Sequence, residues 1–128
     1  MGPSSQEKLP EPSLPDLKRF VSELKYAGMA SLYLLSKAHN RGVPINKELI
    51  KKTITIPFYY VFGVFDATQA AGYIETTYED GEIKVESVRS VFSEHLEPQL
   101  HLIIEILKKS EKAHVLKRLV DSIDRELP

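Results

Sequence analysis

Between positions 57 and 88 the apolar pattern changes period, and the rest of the chain is arranged around that change. Phe58, Val61, Phe62 and Phe65 recur at helical spacing, with Pro57 as a preset first helical position and Gly72 as a left-handed stop. After Gly72, Ile74, Thr76 and Tyr78 alternate with Tyr73, Glu75 and Thr77, the period of a half-buried strand. Asp80-Gly81 is a two-residue hairpin signal, because a type I′ turn needs positive φ at both central positions. The return strand is Glu82 to Glu86, and a two-residue loop sets Tyr78 opposite Ile83 and Thr76 opposite Val85.

Upstream, Ser13-Leu14-Pro15-Asp16 reads as a helix start, with a serine cap, an early proline and an acid at the positive end of the dipole. One apolar stripe runs through Leu17, Phe20, Val21, Leu24, Gly28, Leu32, Leu35 and Ala38. Gly28 and its small neighbours Ala27, Ala30 and Ser31 predict a break, giving a leader helix and a first core helix from Met29 to His39. Pro44 biases Val43-Pro44-Ile45 towards a short extended strand. Asn46 caps a second short helix, Lys47 to Thr53, with Leu49, Ile50 and Ile54 inward.

Downstream the pattern is helical again. Val88, Val91, Phe92 and Leu96 form a short amphipathic helix that Pro98 restarts or kinks. Leu100, Ile103, Ile104 and Leu107 make one stripe, and Ala113, Leu116, Val120, Ile123 and Leu127 step by three and four, the seam of a coiled coil. Ser110-Glu111-Lys112 interrupts the two.

Composition narrows the function classes. The 128 residues suit one core, with a proline- and serine-rich disordered leader at 1–15. A net charge of −1 argues against a wholly electrostatic nucleic-acid binder, and the absence of cysteine removes disulfides, thiolate metal sites and cysteine nucleophiles. With no membrane-length apolar run and no signal peptide, a cytoplasmic protein is expected. His95 and His101 share no helical face, His39 and His114 are isolated, and no phosphate-binding glycine loop or nucleophile elbow occurs. No catalytic residue, metal or cofactor is therefore expected. Lys18, Arg19, Lys25, Lys37, Arg41, Lys47, Lys51 and Lys52 outnumber the acids from Asp16 to Thr53.

The segments SLYLLSKAHNRGVPINKELIKKT, IPFYYVFGVFDATQAAGYIE and TTYEDGEIKVE follow in the order helix, strand, helix, helix, hairpin. That order resembles the winged helix-turn-helix superfamily, in particular its dimeric archaeal and bacterial DNA-binding regulators. The resemblance implies a mainly α fold with a small β-hairpin. A winged core at 16–88 would carry an added N-terminal helix, and 89–128 would be a helical dimerisation region. It also implies that the helix after Pro57 enters a major groove of double-stranded DNA, with the hairpin as the wing. Tyr59, Tyr60 and Gln69 would then contact bases, while Lys47, Lys51, Lys52 and Lys84 neutralise phosphates. The sequence departs from the pattern in having no lysine or arginine on that helix and an acidic tip at Glu79, Asp80 and Glu82. By analogy, Leu100, Ile103, Leu107, Leu116, Val120 and Ile123 would join two copies of a transcriptional regulator as a homodimer. The competing arrangement folds these helices back onto the leader helix. The competing function is a protein-interaction module that docks a partner through Tyr59 and Tyr60.

Overall fold

The computed structural model describes residues 13–128, so most of the expected leader, 1–12, lies outside the described residues. In chain order the elements are α1 (Leu14–Glu23), α2 (Tyr26–Asn40), α3 (Lys47–Thr53), α4 (Phe58–Ala70), β1 (Ile74–Glu79) and β2 (Glu82–Val88). A π-helical turn (Phe92–Leu96) then leads into α5 (Glu97–Leu107), and a 3₁₀ turn (Glu111–Ala113) into α6 (His114–Glu126). The protein is mainly helical, with one two-stranded antiparallel hairpin among the described residues.

Ser13 caps α1 through a reciprocal box. Its hydroxyl accepts from Asp16 N–H at 3.4 Å, and the Asp16 carboxylate accepts from Ser13 N–H at 3.3 Å. The break that follows lies at Leu24-Lys25, both extended, rather than at Gly28. Gly28 is buried in the first turn of α2, where an added Cβ would meet Leu24 Cδ2 at 3.2 Å. The glycine leaves room for the turning chain, so the helix begins at Tyr26, three residues earlier than its pattern predicts.

The core is built around α2. Leu32, Leu34, Leu35 and Ala38 are all fully buried, which requires partners on more than one side, and α4, α5 and α6 supply them. Among the described residues Val43-Pro44-Ile45 pairs with no strand, and the sheet there is two-stranded. Pro44 brings no N–H to a ladder, and Ile45 is held by burial alone.

Asn46 Oδ1 accepts from Leu49 N–H at 3.0 Å and starts α3 where the sequence places it. Pro57 occupies the cap position of α4 rather than its first turn. At the far end Gly72 (φ 93°) closes the helix. Its N–H bonds Gln69 O at 3.0 Å, and Tyr73 N–H bonds Thr68 O at 3.1 Å, which together satisfy two final carbonyls. The hairpin turn has φ 54° at Asp80 and 76° at Gly81, as a type I′ turn demands. Tyr78 faces Ile83 and Thr76 faces Val85, but a bulge between Glu75 and Thr76 shifts the base of the hairpin so that Ile74 faces Val88. Val88 therefore ends a strand instead of opening a helix.

The π turn has a local cause. Pro98 cannot donate to the carbonyl four residues back, and its ring crowds that carbonyl, so the preceding turn widens and Glu97 N–H reaches Phe92 O instead.

The C-terminal stripe folds back within the chain, mainly onto α2 and, through α6, onto α3. Leu100, Leu116 and Ile123 are fully buried and Val120 is 1% exposed, so within the single chain these four already belong to its own core. Ile103 and Leu107 are half-buried. The large apolar side chains that α5 leaves exposed are Leu102 and Ile106, which the seam omits.

Candidate nucleic-acid interface

Helix α4 packs on α2, α3 and both strands of the hairpin, and its Val61 and Phe65 are fully buried. Its uncovered side carries Tyr59, Gly63, Asp66 and Ala70, with Tyr60 and Ala67 beside them. Tyr59 is 72% exposed and Tyr60 38%, both in the first turn.

The expected lysines gather at this same end. Lys47 Nζ lies 4.1 Å from the centroid of the Phe58 ring and Lys51 Nζ 5.7 Å from it. The ring face attracts both ammonium groups and holds them beside the N-terminus of α4, which itself favours an anion. Lys51 and Lys52 are exposed, and none of these three lysines has an ion-pair partner among the described residues. Lys47 and Lys51, gathered on Phe58, thus lie beside the first turn of α4 with its exposed Tyr59 and Tyr60, and Lys52 sits exposed in the last turn of α3.

Two expected contacts lie elsewhere. Gln69 is half-buried in the last turn of α4, ~15 Å along the axis from Tyr59 and rotated about 80° from it. Lys84 on β2 is tied to Glu79 at 3.3 Å. The hairpin does not stand free. Tyr78 donates its hydroxyl to Asp66 Oδ1 at 2.7 Å, and that bond holds its phenol above the usual tyrosine range. At the base Arg89 reaches back to Gly72 O at 2.9 Å, and its N–H bonds Tyr73 O at 3.0 Å. Pattern alone does not single out Arg89, since a lone arginine between a strand and a helix carries no periodic signal.

Other charges serve the fold. Arg19 pairs with Asp16 at 3.3 Å, and Arg41 Nε donates to Pro128 O at 2.7 Å. Lys37 reaches Asp124 at 2.9 Å and Leu127 O at 3.3 Å. Burial pushes the Asp124 carboxyl up, but the hydrogen bonds from Lys37 and Tyr33 and the charge of Lys37 outweigh it, leaving the carboxyl below its ordinary range.

A serine, a histidine and a carboxylate also meet between α2 and α5. Ser36 Oγ lies 3.1 Å from His101 Nε2 and donates to Glu97 Oε2, which also accepts from Asn40 at 3.2 Å. Here the carboxylate contacts the serine and not the second ring nitrogen, and Ser36 is fully buried. This is not a nucleophile–base–carboxylate relay; it is a polar clamp between two helices.

Among the described residues no helix is long and apolar enough to cross a membrane. No known protein family, characterised protein or solved structure matches this chain.

Proposed function

We propose that this chain is a winged helix-turn-helix protein that binds double-stranded DNA. The element order α2, α3, α4, hairpin and the packing of α4 against α2, α3 and both strands support that architecture. The observation that carries the function is the edge at the start of α4, where Lys47 and Lys51 flank Phe58 and Tyr59 projects beside them. In this reading the lysines take phosphates and the tyrosines approach the groove by the helix's N-terminal turn. Asp66, two turns further on along the same face, is the acid that opposes the phosphates in this reading. A role in transcription regulation follows as part of the same proposal.

Fluorescence anisotropy with a random duplex, titrated from low to physiological salt, tests it. Binding that weakens steeply with salt and collapses in the Lys51→Glu/Lys52→Glu variant is the expected result. No binding at low salt overturns it.

One observation favours a second reading, a protein-docking module. The middle of the α4 face carries an acid and no cation, and an apolar groove of about 240 Å³ opens beside it between Phe20, Leu24, Tyr60 and Val64. A partner that survives Lys51→Glu/Lys52→Glu but is lost in Tyr59→Ala/Tyr60→Ala would establish that alternative.

A further inference from the structure

Helix α6 carries two arginines that neither the fold nor the interface just described uses. Arg118 and Arg125 are seven positions apart, so they return to one face of the helix about 10 Å along its axis. Both are exposed, and neither has an ion-pair partner or hydrogen bond among the described residues. Together with Thr55, Val115, Leu119 and Ser122 they line a cleft of about 370 Å³ between α6 and the loop after α3.

Both charged residues that line this cleft are cationic. Among the described residues no carboxylate lines it. Asp121 is held by Lys117 at 3.0 Å, and Asp124 by Lys37 and Tyr33. The cleft's position is fixed, because Ser122 donates its hydroxyl to Thr53 O at 2.5 Å and pins α6 to the last turn of α3. That turn carries Lys51 and Lys52. Two guanidinium groups, a threonine hydroxyl and an apolar wall are a donor set for a phosphate ester, because a guanidinium fork binds phosphate oxygens bidentately.

We propose that the Thr55–Arg118–Ser122–Arg125 cleft binds a phosphate group, and that this group is a backbone phosphodiester of the duplex lying against α3 and α4. The source of the phosphate rests on the DNA-binding reading; the cleft's affinity for phosphate does not. The protein would then hold one strand by a basic track from Lys47 through Lys51 and Lys52 to Arg118 and Arg125.

The test compares wild type, Arg118→Gln/Arg125→Gln and Lys51→Glu/Lys52→Glu in two assays. One is duplex anisotropy across salt; the other follows the arginine Nε–H resonances by NMR during titration with inorganic pyrophosphate. Because both arginines are exposed, the glutamine variant should melt where wild type does. Loss of about tenfold in duplex affinity, with a salt slope shallower by about two, assigns the cleft to the DNA backbone. Unchanged duplex binding with resonances of Arg118 and Arg125 shifted by pyrophosphate keeps the phosphate site but makes its ligand a free phosphorylated molecule. If neither assay responds, the cleft proposal is overturned, while loss of duplex binding in the lysine variant leaves the DNA reading standing. If wild type binds no duplex, that reading falls and the pyrophosphate arm alone decides the cleft.

Discussion

The Tyr33 hydroxyl donates to Asp124 Oδ1 across 2.7 Å, joining residues that lie 91 positions apart. Lys37, one turn along the same helix, reaches the same carboxylate oxygen at 2.9 Å. The two bonds fix α6 along α2, and they make this contact sensitive to pH at both ends of the scale.

The acid limb follows from Asp124, whose carboxyl is lowered in the folded state. Its stabilisation is complete above the unfolded value near ~4 and is lost as pH falls through the lower folded value. The Tyr33 phenol is raised, by burial first and then by the bond to Asp124, so its share is complete below about 10 and is lost at higher pH. Asp124→Asn should cost about 1–2 kcal/mol at neutral pH, a figure kept low because the carboxylate is partly solvated. Urea melts should show the gap from wild type closing below about pH 4.

Leu116 tests whether the C-terminal stripe is core or seam. In a single-chain core, Leu116→Ala should cost about 2–5 kcal/mol and the unfolding midpoint should not move with protein concentration. A midpoint that rises with concentration in wild type would show instead that the helix is shared between copies.

Tyr73 is fully buried and packs on Phe20 with ring centroids 5.2 Å apart, yet its hydroxyl has no hydrogen-bond partner among the described residues. An unpaired buried hydroxyl carries its desolvation cost without return. Tyr73→Phe should therefore raise stability by about 1 kcal/mol, seen as a higher melting temperature. A lower one would mean that the hydroxyl has a partner in solution.

Asp66 is the acid on the outer face of α4 and the acceptor for Tyr78. On the DNA reading, Asp66→Asn removes a repulsion and should raise duplex affinity by about threefold at low salt, with the gain shrinking as salt rises. An unchanged affinity would place the duplex away from this face.

Local rules carried most of the fold. The cap at Asn46, the stop at Gly72 and the Asp80-Gly81 turn each depend on residues within a few positions, and each lies where the sequence predicts. The bulge, with Glu86 as the extra residue opposite the Glu75–Thr76 step, and the π turn before Pro98 leave weaker local signals. The first is a compromise between hairpin register and the burial of Ile74 and Tyr73, and the second appears as a kink signal without its geometry. The destination of α6 was not legible at all. A stripe of Leu116, Val120 and Ile123 reads the same whether it meets another chain or its own α2, because periodicity reports a buried face and not its partner. For the interface, the lysines of α3 and the tyrosines of α4 were visible as exposed types in amphipathic helices. Arg118 and Arg125 carry no such signal, because two exposed arginines on an amphipathic helix look like any solvated polar face.

The fold-back of α6 has a kinetic consequence. Helical proteins usually fold fast because their contacts are local, but here Thr53 meets Ser122 and Tyr33 meets Asp124, separations of 69 and 91 residues. The cover of α2 is completed only when a segment from the far end of the chain arrives, so closing that loop should form part of the folding barrier. The folding rate should resemble that of a mixed α/β domain more than that of a simple bundle. Until α6 docks, Leu32, Leu34 and Leu35 lack one wall of their core, and that is the stage at which the chain is most exposed to aggregation.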